Sequence, residues 1–183
     1  MRVSLSKIGA KMSAKPDLTK AIDAFVEVRK TILGANTGYS WGYGYSQNER
    51  VVRFPIEVDG QSSSAARLEV VGFPQSNDLK FRLSLCWNAA VARLDYTDET
   101  YSNTLRQHDD QIPASVTGPH YHSWKLNRRF FIGAASIPKL QNAEPFIVHA
   151  SFDSILRWFC HDLNISQPQG GHFISLPPRD LLL

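Results

Sequence analysis

Cysteine is almost missing from this chain. Cys86 and Cys160 are the two present, and neither has a CxxC neighbour. That excludes a disulfide framework. Both lie in apolar runs, where a buried thiol is the default. His161 follows Cys160 directly, but helical neighbours diverge by about 100°, so the two make no nucleophile pair. A reducing cytoplasm is the expected location.

Other absences narrow the reading further. No apolar stretch approaches the length of a membrane span, so no membrane partner is expected. The opening "MRVSLSKIGAKMSAKPD" has no signal-peptide hydrophobic region. The glycine-rich "GYGYS" lacks the spacing and the lysine of a phosphate-cradling loop. There is no GxSxG nucleophile elbow. No internal repeat is visible, which argues against a solenoid.

What is there is globular. Of 183 residues, 43% are hydrophobic and 20% are charged, enough for one sizeable core and marginal for two. Residues 16–183 are expected to form one α+β domain behind a flexible extension at 1–15. Met12 offers an alternative start. The net charge of +3 permits an acidic partner such as nucleic acid without demanding one.

Periodicity outlines the elements. "PDLTKAIDAFVEVRKTILG" predicts a helix with Asp17 as N-cap and Gly34 as C-cap. Leu18, Ala21, Ile22, Phe25, Val28 and Ile32 fall on its apolar side, and Lys20, Asp23, Glu27 and Lys30 on its polar side. Arg29 falls inside the apolar arc, where a charge must snorkel or find a partner such as Asp95. In "GYSWGYGYS" the aromatics share one face of an extended segment, which is more often core than a stacking platform.

Alternating runs follow. "RVVRFPIEVDG" predicts a strand that Pro55 places at an edge. "DGQSSSA" reads as a hairpin loop before a strand at "AARLEVVGF". "LKFRLSLCWN" turns Leu79, Phe81, Leu83, Leu85 and Trp87 inward. "AVARLDY" turns Ala92, Leu94 and Tyr96 to one face and Arg93 and Asp95 to the other. Residues 97–118 read as a long polar loop, and long loops are often functional. "HYHSWKLNRRFFIG" predicts another strand, and "SFDSILRWFCHDLNI" a helix capped by Ser151. Short connections favour antiparallel pairing. The expected fold is therefore α+β, an antiparallel sheet of about five or six strands with an N-terminal and a C-terminal helix on one face.

The chemistry gathers around "VTGPHYHSW". On an extended segment His120 and His122 point the same way, with Trp124 continuing that face. Two adjacent imidazoles can divide acid and base work near neutral pH, or hold a metal if further ligands come from His108, Asp109 or Asp110. HxH alone is equally the mark of two surface histidines on an edge strand. Arg53, Arg67, Arg82 and Arg93 lie opposite the apolar stripes, accompanied by Glu57, Glu69 and Asp95. That pattern fits a solvated face of ion pairs, each contributing about 0.2–1 kcal/mol, or a groove that positions phosphates.

"CWNAAVARLDYTDE", a polar loop, "GPHYHSW" and the closing helix together resemble a pattern in small uncharacterised bacterial and mobile-element proteins. The resemblance spans roughly residues 79–165 and is carried by Arg93, Asp95, Gly118, Pro119, His120 and His122. More distantly it is similar to RNA-targeting toxins of toxin–antitoxin pairs. It implies a toxin-like or defence-associated protein, with RNA and a protein antitoxin or regulator as partners.

The leading expectation is a nucleic-acid-acting protein with ribonuclease-type chemistry and neither metal nor cofactor. His120 and His122 supply acid–base function and Asp95 orients a cation. Arg82 and Arg93 hold phosphate, and Trp124 and Tyr43 contact substrate. One alternative is a non-catalytic RNA-, ligand- or protein-binding module. The other is a metal-dependent hydrolase using His108, His120, His122 and an aspartate from 109–110.

Overall fold

The N-terminal helix stops sooner than its apolar pattern suggests. In a computed structural model that describes residues 18–34, 38–104, 111–131, 139–148, 150–168 and 173–179, α1 is Leu18–Glu27 and β1 is Lys30–Ile32. Lys30 ends the helix. Its side chain is fully buried, and its Nζ donates to the carbonyls of Phe25, Val26 and Val28 at 2.7, 2.9 and 2.6 Å. An ammonium at a helix C-terminus satisfies carbonyls left without an intrahelical donor. Lys30 is thus no member of a polar helix face. Arg29 lies outside the helix too, exposed and donating to Ser166 rather than to Asp95. The expected N-cap Asp17 lies outside the described residues.

Strands follow: β2 Gly42–Tyr43, β3 Arg50–Val58, β4 Gln61–Gly72, β5 Phe81–Trp87, β6 Ala89–Tyr96, β7 Thr100–Ser102, β8 Ser115–Thr117 and β9 His120–His122. Next come α2 Trp124–Asn127 with a 3₁₀ turn Arg128–Phe131, then β10 Glu144–Pro145, α3 Phe152–Asp162 and β11 Ile165–Ser166. Among the described residues the main sheet has nine strands, ordered β10-β9-β6-β5-β4-β3-β1-β11 with β2 also on β3. Strands β7 and β8 form a separate pair. The fold is α+β with a mostly antiparallel sheet, and β1 with β11 is a parallel pair. The sheet exceeds the expected five or six strands because β1, β2, β9, β10 and β11 are two or three residues long. Alternation cannot register in so few residues.

Both long helices pack on the inward sheet face. Phe25 stacks on Trp87 with ring centroids 5.3 Å apart, and Phe152 meets Phe81 edge-on at 5.0 Å. Ile22, Ile155, Leu156 and Phe159 join Leu68, Val70, Leu83, Leu85 and Leu94 in one core. Ser151 caps α3 as its sequence suggests, its Oγ accepting from the Ser154 amide.

Four local expectations change. Pro55 is in an interior strand, between β1 and β4, and stands where the β3–β4 register shifts, so a bulge accommodates its missing N–H. The β3–β4 turn is Asp59-Gly60 alone, both at positive φ (49° and 76°), and "QSSSA" belongs to β4. Residues 97–118 are not structureless, since they contain β7 and β8. The strand expected from His120 onward ends at His122, because Ser123 caps α2 by accepting from the Leu126 amide.

Candidate functional site

The sheet register builds the site in two neighbouring rows on the outward face. One row runs Arg53, Glu69, Ser84, Arg93, His122 across β3, β4, β5, β6 and β9. The other runs Val71, Arg82, Asp95, His120. Paired residues on adjacent strands point the same way, so Arg82, Arg93, Asp95, His120 and His122 must converge.

Asp95 is their centre. Arg82 Nε donates to its Oδ1 at 2.6 Å, and Arg93 Nε to its Oδ2 at 2.7 Å. The same Oδ2 lies 3.6 Å from His120 Nε2 and 3.4 Å from His122 Nε2. Burial alone would raise the Asp95 carboxyl. The charges of Arg93 and Arg82, with the hydrogen bond from Arg82, outweigh it and hold the group well below the ordinary carboxylate range.

Each imidazole is pinned by its other nitrogen. His120 Nδ1 lies 2.8 Å from the Gly118 carbonyl, and His122 Nδ1 lies 3.1 Å from the Asn142 carbonyl. A carbonyl only accepts, so both Nδ1 atoms carry hydrogen and both Nε2 atoms are turned toward Asp95. His122 Nε2 accepts from Arg93 Nη2 at 2.7 Å. Burial keeps His122 below its ordinary range and Arg93 adds to that, against the pull of Asp95, so it is neutral at pH 7.

The histidines are not on an exposed edge. Strand β10 covers the far side of β9, and the Tyr101 ring from β7 lies 5.3 Å from the His120 ring and 4.6 Å from the His122 ring. Two asparagines hold the covering segment. Asn127 accepts from the Gln141 and Asn142 amides and donates to the Asn142 carbonyl. Asn103 accepts from the Ala143 amide and donates to the Ala143 carbonyl. These contacts place the carbonyl that sets the His122 tautomer.

A cleft of about 290 Å³ opens onto the cluster. Its wall includes Lys80, Arg82, Arg93, Asp95, Tyr101 and His120. His122 does not line it and is 0% exposed. Of the two imidazoles, His120 is therefore the one that lines the cleft, with 3% of its surface exposed.

Two expected site residues are elsewhere. Trp124 starts α2 instead of continuing the histidine face; its ring is buried against Phe131 and its Nε1 donates to Asp23. Tyr43 pairs with Arg50 in a row that continues through Gly72 to the inward-facing Phe81. It is 77% exposed beneath the Arg50 guanidinium and outside the cleft. Tyr45 is exposed as well, whereas Trp41 packs against the core and Tyr39 meets Phe54 edge-on, so the first half of the aromatic stripe joins the core and the second half does not. Arg53 and Arg67 pair with Glu69 away from the cleft, as an ion-pair face. His108, Asp109 and Asp110 lie outside the described residues. Tyr101, Lys80 and Glu99 were not anticipated. Tyr101 sits in a segment that reads as loop, and only the β7–β8 pairing brings it over the histidines.

No helix among the described residues is long and apolar enough to cross a membrane. Comparison with protein-family models, curated proteins and solved structures finds no match to this chain.

Proposed function

We propose that this chain acts on nucleic acid by ribonuclease-type acid–base chemistry, with His120 as the acid–base group. One observation carries the reading: His120, Arg82 and Arg93 share one small cleft. A cleft of about 290 Å³ is close to the lower limit of ligand-sized pockets, roughly 300 Å³, and suits a nucleotide unit rather than a folded partner.

In this reading His120 Nε2 takes the proton of a ribose 2′-hydroxyl. The 2′-oxygen bonds to phosphorus, the bond to the 5′-oxygen breaks, and that oxygen takes a proton from water. The imidazolium then returns its proton to solvent. Arg82 and Arg93 face the phosphate oxygens and stabilise the charge that builds there. Asp95 positions both guanidiniums. His122 is a positioning residue that holds Arg93 through a neutral acceptor nitrogen. The expected partners are RNA and, for a toxin-like protein, an antitoxin or regulator.

The test is incubation of the purified chain with RNA and DNA oligonucleotides of one sequence in EDTA. Cleavage of RNA alone, leaving a 2′,3′-cyclic phosphate, is expected. His120→Ala should cut the rate by about 100-fold or more while remaining folded. Equal cleavage by that variant removes the acid–base assignment. Binding with a steep salt dependence and no turnover identifies the non-catalytic module instead.

A further inference from the structure

We infer that Asp95, His120 and His122 also form a seat for a divalent transition-metal ion such as zinc, taken in exchange for the Arg93 guanidinium. This inference does not rest on the ribonuclease reading, since it needs only these ligand atoms and is read by metal binding.

The three residues are all buried, and their ligand atoms lie within 4.8 Å of one another. Both imidazoles turn Nε2 toward Asp95 as the free ligand atom, because Gly118 and Asn142 hold their Nδ1 hydrogens. Metal-bound histidine is usually fixed this way, by a carbonyl or carboxylate on its other nitrogen. The spacing also fits. Zinc holds nitrogen and oxygen about 2.0–2.2 Å away, so neighbouring tetrahedral ligands stand about 3.4 Å apart. The two imidazole nitrogens stand 3.6 and 3.4 Å from Asp95 Oδ2.

The seat already holds positive charge. Arg93 bridges Asp95 Oδ2 and His122 Nε2, each at 2.7 Å. An ion bound to those atoms and Arg93 in its present pose exclude each other. Arg93 has somewhere to go, because its side chain is 25% exposed and lines the cleft. Arg82 meanwhile keeps Asp95 Oδ1, which leaves Oδ2 as the single carboxylate ligand. Three protein ligands leave a fourth position for water or an anion, toward the cleft that Asp95 and His120 line. Two imidazoles and one carboxylate suit zinc, cobalt or iron better than magnesium. The site would therefore have two exclusive states: Arg93 engaged with no ion, or the ion bound and Arg93 turned into the cleft.

The probes are zinc by titration calorimetry and cobalt by visible absorption, on untagged chain freed of metal. One equivalent should bind to the parent. His120→Ala should weaken binding by about tenfold or more, as loss of a ligand does. Arg93→Met should tighten it by about tenfold or more, because a competing cation is gone. Circular dichroism checks that both variants are folded, and Arg93→Lys provides a milder second variant that should fall between parent and Arg93→Met. Absence of binding in the parent, equal binding in His120→Ala, or unchanged affinity in Arg93→Met each overturns the inference. RNA cleavage in EDTA is unaffected by any of these results, so failure here is distinct from failure of the ribonuclease reading.

Discussion

Arg93 and His122, directly opposite each other on β6 and β9, meet through Nη2 and Nε2 at 2.7 Å. A guanidinium only donates, so this contact requires an unprotonated Nε2. The carbonyl of Asn142 on the other nitrogen requires the Nδ1–H form. The pair thereby ties one arginine's position to one imidazole's protonation state.

Loss of His122 should act on stability before chemistry. His122→Ala takes one of two donors from the Asn142 carbonyl, which Asn127 still serves, and leaves Arg93 Nη2 without its acceptor. The expected cost is about 2–4 kcal/mol, read from urea denaturation. His120→Ala, at the cleft wall, should cost less than His122→Ala. The reverse order would mean that the two imidazoles have been given each other's roles.

Acid should destabilise the protein in two stages. His122 is held below its ordinary 6.5, so as pH falls through 6.5 the unfolded chain takes a proton that the folded one refuses, and stability drops. Asp95 is held below its ordinary 3.8, so its contribution is present above that pH and is lost as pH falls toward its folded value. Asp95→Asn should cost about 3–5 kcal/mol at pH 7 by removing the one carboxylate charge that faces both guanidiniums. The variant's pH profile should lack the second stage. Thermal midpoints from pH 8 to pH 3 measure both.

Lys30 should be essential to the end of α1. Burial pushes its ammonium down to about 8, so it remains mostly protonated at neutral pH. Lys30→Met keeps the length but leaves three carbonyls without this donor, and should cost about 2–4 kcal/mol in a denaturant titration. A neutral result would mean that water replaces the ammonium there.

Gly72 makes room for the C-terminal segment. A Cβ at this position would stand 2.5 Å from Pro177 Cδ. Gly72→Ala should displace residues 173–179 and cost about 1–3 kcal/mol as overpacking. Faster hydrogen exchange at the Ser175 amide, which donates to the Tyr39 hydroxyl, would report the displacement.

Much of the sheet was legible because one face is buried. Phe81, Leu83 and Leu85 alternate with Arg82 and Ser84, and the same period puts Arg93 and Asp95 opposite Ala92 and Leu94. Helix α3 was legible from its cap and its apolar arc. Where tertiary contacts outweighed local pattern, the reading failed. Lys30 looks like a surface helical residue until its ammonium is seen among carbonyls. Trp124 looks like the next residue of a strand until Ser123 caps a helix.

By itself the sequence determined which residues share a face: the period of two put His120 with His122, and Arg93 with Asp95, because successive strand side chains must point to opposite sides. It could not say which strands are neighbours. Pairing β9 to β6 across the intervening β7–β8 segment is a long-range contact, and it alone set both histidines beside Asp95. Burial beneath Tyr101, the hydrogen on each Nδ1, and the separation of a His120 that lines the cleft from a His122 that does not all follow from that pairing and its cover. These depend on distances between segments far apart in the chain, which no local pattern encodes.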